Sequence, residues 1–215
     1  MKIATFGVTT VLYSWIFFLV FLISSYFLPY LTLRIFTVIF GVLAVFNLFF
    51  FRDPERNIIK DQKKILSPAD GKVVVVKKID YEPEFLKTEA YQVSIFLSVF
   101  NVHVNRNPVS GTVELFRYKK GKFLAAFKHE ASESNEQTLI GIENESGKVL
   151  FKQIAGLIAR RIICTLREGN KAEQGERMGM IMYGSRVDVF FPVNAKPVVE
   201  VGQTVKAGTS IIGEF

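Results

Sequence analysis

The first fifty residues of the chain form a nearly continuous apolar block. Between Lys2 and Arg52 the block contains one charged residue, Arg34. A helix that spans a bilayer needs about 20 predominantly apolar residues, and two stretches of that length are present, at residues 10–28 and 33–51. They are separated by a Leu-Pro-Tyr sequence, where proline discourages a continuous helix. The pattern therefore predicts an N-terminal transmembrane helical hairpin.

A cleaved signal peptide is the alternative interpretation of this block. Its apolar core would be about 7–15 residues long and would precede a cleavage site of small residues. The block runs far longer than that, so we favour a retained anchor. We assign residues 1–52 to the membrane-anchoring hairpin and residues 53–215 to a separate domain.

The downstream flank of the block is rich in basic residues. The flank carries Arg52, Arg56, Lys60, Lys63 and Lys64. The turn between the two predicted helices offers only Arg34. Because basic residues accumulate on the cytoplasmic side of membrane helices, we expect the second domain to lie at the cell membrane on its cytoplasmic face.

After residue 65 the pattern changes to short β-rich runs separated by turn residues. The runs cover residues 72–79, 91–104, 111–116, 138–143, 149–154, 187–191 and 196–201. Runs of this length and spacing indicate antiparallel sheets. A single helix is expected at residues 156–166, although the β-branched residues there favour a strand. The predicted fold class is a mainly β domain of antiparallel sheets with α+β character, preceded by the helical hairpin.

Composition narrows the classes of function. The chain has one cysteine, which excludes an internal disulfide, and two histidines, which with that cysteine are too few for a structural zinc site. We therefore expect no metal. The formal net charge is +7, but the lysines occur as short scattered pairs without a recognition helix or an RNA-binding motif. This mild basic bias suits an anionic membrane surface better than nucleic acid.

Signatures of common enzyme classes are missing from the sequence. Ser185 has Tyr183 and Val187 at the positions where the nucleophile elbow of a hydrolase requires glycine. The sequence also contains no phosphate-binding loop and no dinucleotide fingerprint. Hydrolases and nucleotide-dependent enzymes are therefore disfavoured.

Two polar residues in apolar surroundings are candidates for chemistry. Asp70 and Gly71 lie between two apolar runs, a pattern that by itself predicts a hairpin turn. His103 lies in a stretch where alternation places Val102 and Val104 on one face of a strand and His103 on the other. The alternation excludes His103 from the apolar core and leaves two options open, a solvated face or a polar pocket.

The Gly184-Ser185 pair has two interpretations. By itself it is a glycine turn that enters a strand. Chemically, a serine hydroxyl pressed against the preceding carbonyl can attack its own peptide bond, because glycine has no Cβ to obstruct the strained backbone that the attack requires. The attack converts the amide into an ester. β-Elimination then leaves a dehydroalanine at the new amino terminus, and hydrolysis gives a pyruvoyl group.

Five groups of residues occur in a characteristic order along the chain. They are Arg52-Asp53-Pro54-Glu55-Arg56, Ser67-Pro68-Ala69-Asp70-Gly71, the run from Phe96 to Arg106 that contains His103, Gln153-Ile154-Ala155-Gly156 with Ala159-Arg160-Arg161, and Gly184-Ser185-Arg186-Val187-Asp188. Together they resemble the short form of the phosphatidylserine decarboxylase family, from about Phe50 to the last residue. Each motif alone is weakly specific, whereas the ordered set is strongly specific.

The resemblance implies a proenzyme that cuts itself between Gly184 and Ser185. The products would be a membrane-bound β chain of residues 1–184 and an α chain of residues 185–215, capped by a covalent pyruvoyl group made from Ser185. The implied reaction, a step of phospholipid biosynthesis, is decarboxylation of phosphatidylserine to phosphatidylethanolamine with release of carbon dioxide, through a Schiff base between the substrate amine and the pyruvoyl. The two chains would form a heterodimer, and a higher oligomer is left open.

Site residues also follow from the resemblance. The matching positions make Ser185 the pyruvoyl precursor, His103 the proton donor in decarboxylation and Asp70 the polar partner of the imidazole. Arg160 or Arg161 would bind the phosphodiester of the lipid through a bidentate guanidinium contact. Adjacent residues of a strand or helix point in different directions, so we expect only one of the two arginines to do so.

One departure from the family pattern concerns the region that carries His103. The pattern of longer family members has two histidines in this region. The second serves in an Asp-His-Ser triad for self-cleavage. In this chain the second place falls near Asn105-Arg106. We therefore expect His103 to serve both self-cleavage and turnover.

A second hypothesis comes from residues 199–208, which resemble the hairpin of biotinyl and lipoyl domains. It describes a membrane-tethered binding or adaptor module without catalysis. The modifiable lysine in its usual Met-Lys setting is missing from this sequence. A denaturing gel separates the two hypotheses, because an adaptor stays at full length and the decarboxylase gives two chains.

Overall fold

A computed structural model describes residues 2–126, 130–157 and 161–215 of the chain. The chain divides into two compact units, Met1–Glu55 and Arg56–Phe215. The first unit contains the two long helices, and the second contains the strands that form the sheets.

The first unit is a helical hairpin. Helix α1 spans Val8–Phe27, directly after a short 3₁₀ turn, and α2 spans Leu31–Phe50. The helices pack through aromatic rings, with the ring centroids of Phe21 and Phe40 4.9 Å apart in a stacked arrangement. Both helices are long and apolar enough to cross a membrane. The predicted N-terminal pair of apolar helices is confirmed.

In its described residues, the second unit contains short strands and one short helix. The helix, α3, spans Ala131–Ser134. The strands are β1 (Lys64–Leu66), β2 (Gly71–Ile79), β3 (Ala90–Leu97), β4 (Val104–Arg106), β5 (Gly111–Lys119), β6 (Gln137–Asn144), β7 (Gly147–Ile154), β8 (Ile162–Cys164), β9 (Lys171–Ala172), β10 (Arg177–Ile181), β11 (Ser185–Pro192), β12 (Lys196–Pro197), β13 (Thr204–Val205) and β14 (Ile211–Glu214).

The strands form three sheets. The largest has eight strands in the order β13-β2-β3-β11-β7-β6-β5-β9, and the two smaller sheets have the orders β1-β14-β12 and β4-β10-β8. All of these strand pairs are antiparallel. The predicted fold class, a mainly β domain of antiparallel sheets after a helical hairpin, is confirmed.

Strand β11 lies in the middle of the large sheet, between β3 and β7. Its side chains alternate between the two faces, as the period of a strand requires. Val187, Val189 and Phe191 belong to the main apolar core, while Arg186 and Asp188 are buried on the opposite face. Burial of each large apolar side chain contributes about 1.5–3 kcal/mol. Neighbouring strands and both faces therefore hold the start of β11 in place.

The strand predicted at residues 91–104 is interrupted by a loop at residues 98–103, which contains His103. Within this loop the Asn101 side chain accepts hydrogen bonds from the Ser98 N–H at 2.9 Å and from the Ser98 hydroxyl at 2.8 Å. Such local bonds from an Asn side chain compete with the hydrogen bonds of a sheet. The prediction of one continuous strand was wrong, and alternation does not decide where His103 points.

Two further predicted elements differ from the structure. Residues 162–164 form β8, which pairs with β10, so the helix expected at residues 156–166 was wrong there. The β-branched residues of this stretch favour the strand, and residues 158–160 lie outside the described residues. The strand expected at residues 196–201 is limited to the two residues of β12.

The segment that precedes β2 connects two sheets. Strand β1 pairs with β14, whereas β2 pairs with β3 and β13. Residues 67–70 between them are held by distant parts of the chain, since the Ser67 N–H donates to the Ser210 carbonyl at 2.7 Å. The prediction of a hairpin turn at Asp70-Gly71 was therefore wrong.

Candidate active site

Ser185 is the first residue of β11 and pairs with Leu97 of β3. Its side chain is fully buried, and its hydroxyl oxygen Oγ has no hydrogen-bond partner among the described residues. A buried hydroxyl without a partner costs about 1–3 kcal/mol, so such groups are uncommon in folded proteins. The hydroxyl is thus uncommitted, directly after the peptide bond that joins it to Gly184.

The two residues before Ser185 have unusual backbone angles. Tyr183 has a φ of 63° and Gly184 a φ of 82°, both in the left-handed region. This conformation costs a residue with a side chain about 1–2 kcal/mol, whereas glycine adopts it freely. The turn therefore stores strain immediately before Ser185, as an attack of the serine on the preceding carbonyl requires.

His103 lies against the same turn and is fully buried. The Gly184 N–H donates to its Nε2 at 3.3 Å, and its Nδ1 lies 2.9 Å from the Asn101 carbonyl oxygen. Because a carbonyl only accepts, we assign the proton to Nδ1 and the lone pair to Nε2. Of the two options that the sequence left open, the solvated face is wrong and the buried polar pocket is right. The basic nitrogen of the ring therefore contacts the N–H of Gly184, the residue directly before Ser185.

Asp70 is held by partners other than His103. Its Oδ2 lies 2.8 Å from Nη2 of Arg56, in an ion pair whose side chains are 11% and 9% exposed. Its Oδ1 accepts a hydrogen bond from the Ala207 N–H at 2.8 Å. The imidazole Nδ1 instead lies against the Asn101 carbonyl oxygen. The expected direct contact between Asp70 and the imidazole is therefore not among the contacts of Asp70 in the described part of the chain. Asp70 instead ties the start of the second unit to the C-terminal segment.

Of the two arginines expected at the phosphodiester, the structure describes Arg161. Arg160 lies outside the described residues. Arg161 is exposed, and its carbonyl oxygen accepts a hydrogen bond from the Met182 N–H at 3.2 Å. The Arg161 backbone therefore lies beside Met182, the residue directly before the strained turn.

An apolar cavity of about 330 Å³ lies beside the strained turn. Its walls include Phe96, Leu97, Val99, Ala126, Leu157 and Gly184. Cavities of this size, lined mainly by apolar side chains, are typical of sites for small organic molecules. The Gly184-Ser185 junction is thus adjacent to a pocket suited to an apolar ligand group.

The family model for phosphatidylserine decarboxylase matches residues 43–213 of the chain. The match includes the strained turn, the His103 loop and the described strands from β1 to β13, together with most of β14. The chain belongs to the phosphatidylserine decarboxylase family. It is therefore an enzyme, a carboxy-lyase, and the hypothesis of an adaptor module without catalysis is wrong.

Individual relatives carry the name phosphatidylserine decarboxylase proenzyme. The protein from Chlorobium limicola is 49% identical over 179 residues, which cover 83% of this chain and 84% of the relative. The protein from Desulfotalea psychrophila is 45% identical over 183 residues, or 85% of each chain. The protein from Chlorobium chlorochromatii is 41% identical over 214 residues, or 99% of this chain and 100% of the relative. The resemblance inferred from the ordered motifs is confirmed.

In this member of the phosphatidylserine decarboxylase family, Arg186 and Asp188 form a buried ion pair that the sequence motifs did not predict. On the buried reverse face of β11, Arg186 Nε lies 2.5 Å from Asp188 Oδ1, and Arg186 Nη2 donates to Ser94 Oγ at 2.8 Å. The Ser132 hydroxyl also donates to Asp188. This network anchors the strand that begins with Ser185. A signal was present in the sequence, since two charged residues occupy alternate positions in an apolar strand.

Arg106 lies near the place where the pattern of longer family members has its second histidine. Its Nη1 donates to the Gly175 carbonyl at 2.9 Å, and its N–H donates to the Pro68 carbonyl at 2.9 Å. A guanidinium stays protonated at ordinary pH and cannot act as a base. Within the described residues, His103 is thus the imidazole at the Gly184 junction, and its double role stays a prediction.

Metal ligands and a second nucleophile are the other reactive groups to consider in the described residues. Residues 2–126, 130–157 and 161–215 contain no cluster of three or more His, Cys, Asp or Glu side chains that could hold a metal ion. Burial raises the pKa of the Cys164 thiol to about 11, which keeps it protonated at neutral pH. Burial also raises the pKa of the Tyr183 phenol. Neither group is suited to act as a nucleophile near neutral pH.

Proposed function

We propose that the chain makes a pyruvoyl group from its own Ser185 and uses it to decarboxylate phosphatidylserine to phosphatidylethanolamine. One arrangement carries the proposal, namely the buried and uncommitted Ser185 hydroxyl after the strained Tyr183-Gly184 turn, with His103 Nε2 at the Gly184 N–H. The relatives named phosphatidylserine decarboxylase proenzyme support the substrate and the self-processing.

Self-cleavage begins when His103 accepts the Ser185 hydroxyl proton and Oγ attacks the carbonyl carbon of Gly184. The peptide C–N bond breaks, the proton passes to the Ser185 nitrogen, and Gly184 is left in an ester with Oγ. Loss of the Ser185 Cα proton expels Gly184 as a carboxylate and leaves a dehydroalanine. Addition of water and loss of ammonia then give the pyruvoyl. Release of the strain at Tyr183 favours the first step.

The surroundings of Ser185 suit such a group. When present, the pyruvoyl supplies an electron sink for the carbon that bears the substrate carboxylate. Burial of Ser185 excludes bulk water from this position, and the Arg186-Asp188 pair fixes the residue that follows. His103, fixed in one tautomer by Asn101, can carry a proton to the reacting carbon at Nε2.

The lipid substrate requires an apolar surface and a cation. The cavity of about 330 Å³ beside Gly184 offers apolar walls for the glycerol and the first acyl carbons. Either Arg160 or Arg161 would bind the phosphodiester, and the exposed position of Arg161 beside the strained turn supports this role.

The strand pairings support a stable complex of the two products. The small chain, residues 185–215, contributes β11, β12, β13 and β14. Of these, β11 pairs with β3 and β7, β13 with β2, and β14 with β1 of the large chain, residues 1–184. The bond from Ala207 to Asp70 joins the chains as well. A cut at Gly184-Ser185 would therefore leave an interwoven heterodimer.

The helical hairpin is proposed to anchor the large chain in the cell membrane, with the second unit on the cytoplasmic side. Two helices of sufficient length and hydropathy support the anchor. The basic flank from Arg52 to Lys64 supports the orientation, because such residues stay on the cytoplasmic side and attract anionic headgroups.

Replacement of Ser185 by alanine tests the proposed function. Without the hydroxyl no ester forms, so Ser185→Ala should run as one uncut chain on a denaturing gel and should have no decarboxylase activity. Ser146→Ala, in the turn between β6 and β7, is the matched control and should give two chains. Normal cutting in the Ser185→Ala chain would refute the pyruvoyl mechanism.

A further inference from the structure

We propose that Gly156 is a positioning residue for self-cleavage, because its missing side chain lets the Gly184 carbonyl occupy the place where Ser185 can attack it. The inference rests on the proposed function and adds a requirement outside the Gly184-Ser185 pair. It concerns the first step, in which Oγ meets the carbonyl carbon.

The two glycines are in close contact although they are 28 positions apart in the sequence. A Cβ built on Gly156 would lie 2.4 Å from the carbonyl oxygen of Gly184 and 3.3 Å from its carbonyl carbon. Real Cβ atoms essentially never come closer than 3.0 Å to such a group. The φ angle of Gly156 is outside the left-handed region. Glycine is therefore required there by space and not by backbone conformation.

The backbone directly before Gly156 is held by hydrogen bonds. The Ala155 N–H donates to the Glu136 carbonyl at 2.9 Å, and the Ala155 carbonyl accepts from Nδ2 of Asn135 at 2.8 Å. Asn135 is itself buried, and it bonds the Leu124 backbone through both of its amide atoms. Because the residue before Gly156 is held in this way, a side chain at position 156 would press on the Gly184 carbonyl.

Gly184, which carries the scissile carbonyl, is thus confined from two sides. His103 Nε2 accepts the Gly184 N–H at 3.3 Å, and Gly156 faces the Gly184 carbonyl oxygen. An added methyl group would have to move that oxygen by about 0.6 Å to reach a separation of 3.0 Å. A misplacement of about 1 Å between reacting groups can slow a reaction about 100-fold. We expect Gly156→Ala to slow self-cleavage at least about tenfold on the same basis.

A matched control separates this effect from general overpacking. Gly141 lies on β6, and a Cβ there would come within 2.7 Å of the Phe85 ring, away from the Gly184 turn. Inserting a methyl group into such a packed site costs about 1–3 kcal/mol. Gly141→Ala should therefore lower thermal stability about as much as Gly156→Ala while leaving the cutting rate unchanged.

The experiment follows conversion of one chain into two after synthesis of the full-length wild type, Gly156→Ala and Gly141→Ala, with thermal melting of each product. Hydroxylamine is added to parallel samples, because it cleaves an ester between Gly184 and Ser185 but not the peptide bond. We expect Gly156→Ala to stay largely uncut with and without hydroxylamine, since the block precedes the ester. Wild type and Gly141→Ala should both mature at the normal rate.

Four results would overturn the inference. The first two are normal cutting of Gly156→Ala and equal slowing by Gly141→Ala. The third is rapid cleavage of Gly156→Ala by hydroxylamine, because that would place the block after the ester. The fourth is failure of Gly156→Ala to fold under conditions in which Gly141→Ala folds. A wild-type chain that stays uncut would instead overturn the proposed function on which the inference rests.

Discussion

Replacement of His103 by alanine removes the proposed base for self-cleavage. The imidazole is fully buried, and its Nε2 accepts the N–H of Gly184, the residue before Ser185, at 3.3 Å. A positioned general base accelerates a step about 10²–10⁴-fold, which corresponds to about 2.7–5.4 kcal/mol of activation free energy. We therefore expect His103→Ala to mature at least about 100-fold more slowly than the wild type.

The same substitution has a separate effect on stability. It leaves the half-buried Gly184 N–H without its acceptor, and the cost of such a group is at most that of a fully buried unsatisfied one, about 1–3 kcal/mol. Domains of ordinary stability unfold at a cost of about 5–15 kcal/mol, so the variant should remain folded. His103→Gln is the matched control, because its side-chain oxygen can accept the N–H while the amide cannot act as a base. It should recover stability without recovering the rate.

The assay measures the ratio of cut to uncut chain on denaturing gels at intervals after synthesis. Free imidazole should speed maturation of His103→Ala, since alanine leaves space for a ring, and should not affect Ser185→Ala. Maturation of His103→Ala at the wild-type rate would refute the base assignment. Wild-type maturation of His103→Gln would show that only the hydrogen bond to Gly184 matters.

Two further predictions concern the surroundings of the site. Arg186→Met should lower the free energy of unfolding by about 3–5 kcal/mol in urea titrations, because the buried Asp188 loses its cation, and Arg186→Met combined with Asp188→Leu should recover most of it. No recovery in the double variant would contradict this account. Since the pKa of Cys164 is raised from 9.0 to about 11, its alkylation by iodoacetamide at pH 8 should be about 100-fold slower in the native protein than in unfolded protein. Equal rates by mass spectrometry would show that the thiol is not protected by burial.

Local patterns predicted most of the secondary structure, and tertiary contacts explain the failures. The two long helices follow from the absence of charge between Lys2 and Arg52 apart from Arg34, and β11 follows from alternation. The loop at residues 98–103 was missed because side-chain bonds of Asn101 replace sheet bonds there. Strand β8 was missed because it is stabilised by pairing with the distant β10.

The sequence offered candidate residues for the site but not their contacts. Gly184 and Ser185 were singled out because their residue types suit self-cleavage and because they lie in the ordered family motifs. The left-handed φ of Gly184 agrees with that reasoning, and self-cleavage there stays a prediction. The partners of Asp70 could not be predicted, because Ala207 is 137 residues away in the sequence. The contact between Gly156 and Gly184 depends on the loop after β7 and was likewise invisible in the sequence.

The intact masses of the purified protein under denaturing conditions test the central claim most directly. The account predicts two chains, with a small chain of about 3.5 kDa that starts at residue 185 and is lighter, by one ammonia, than the same peptide with an N-terminal serine. Borohydride added together with phosphatidylserine should attach the substrate amine to that small chain and abolish activity. A single chain of 24.4 kDa in an active preparation, or a small chain with an unmodified serine, would contradict the account.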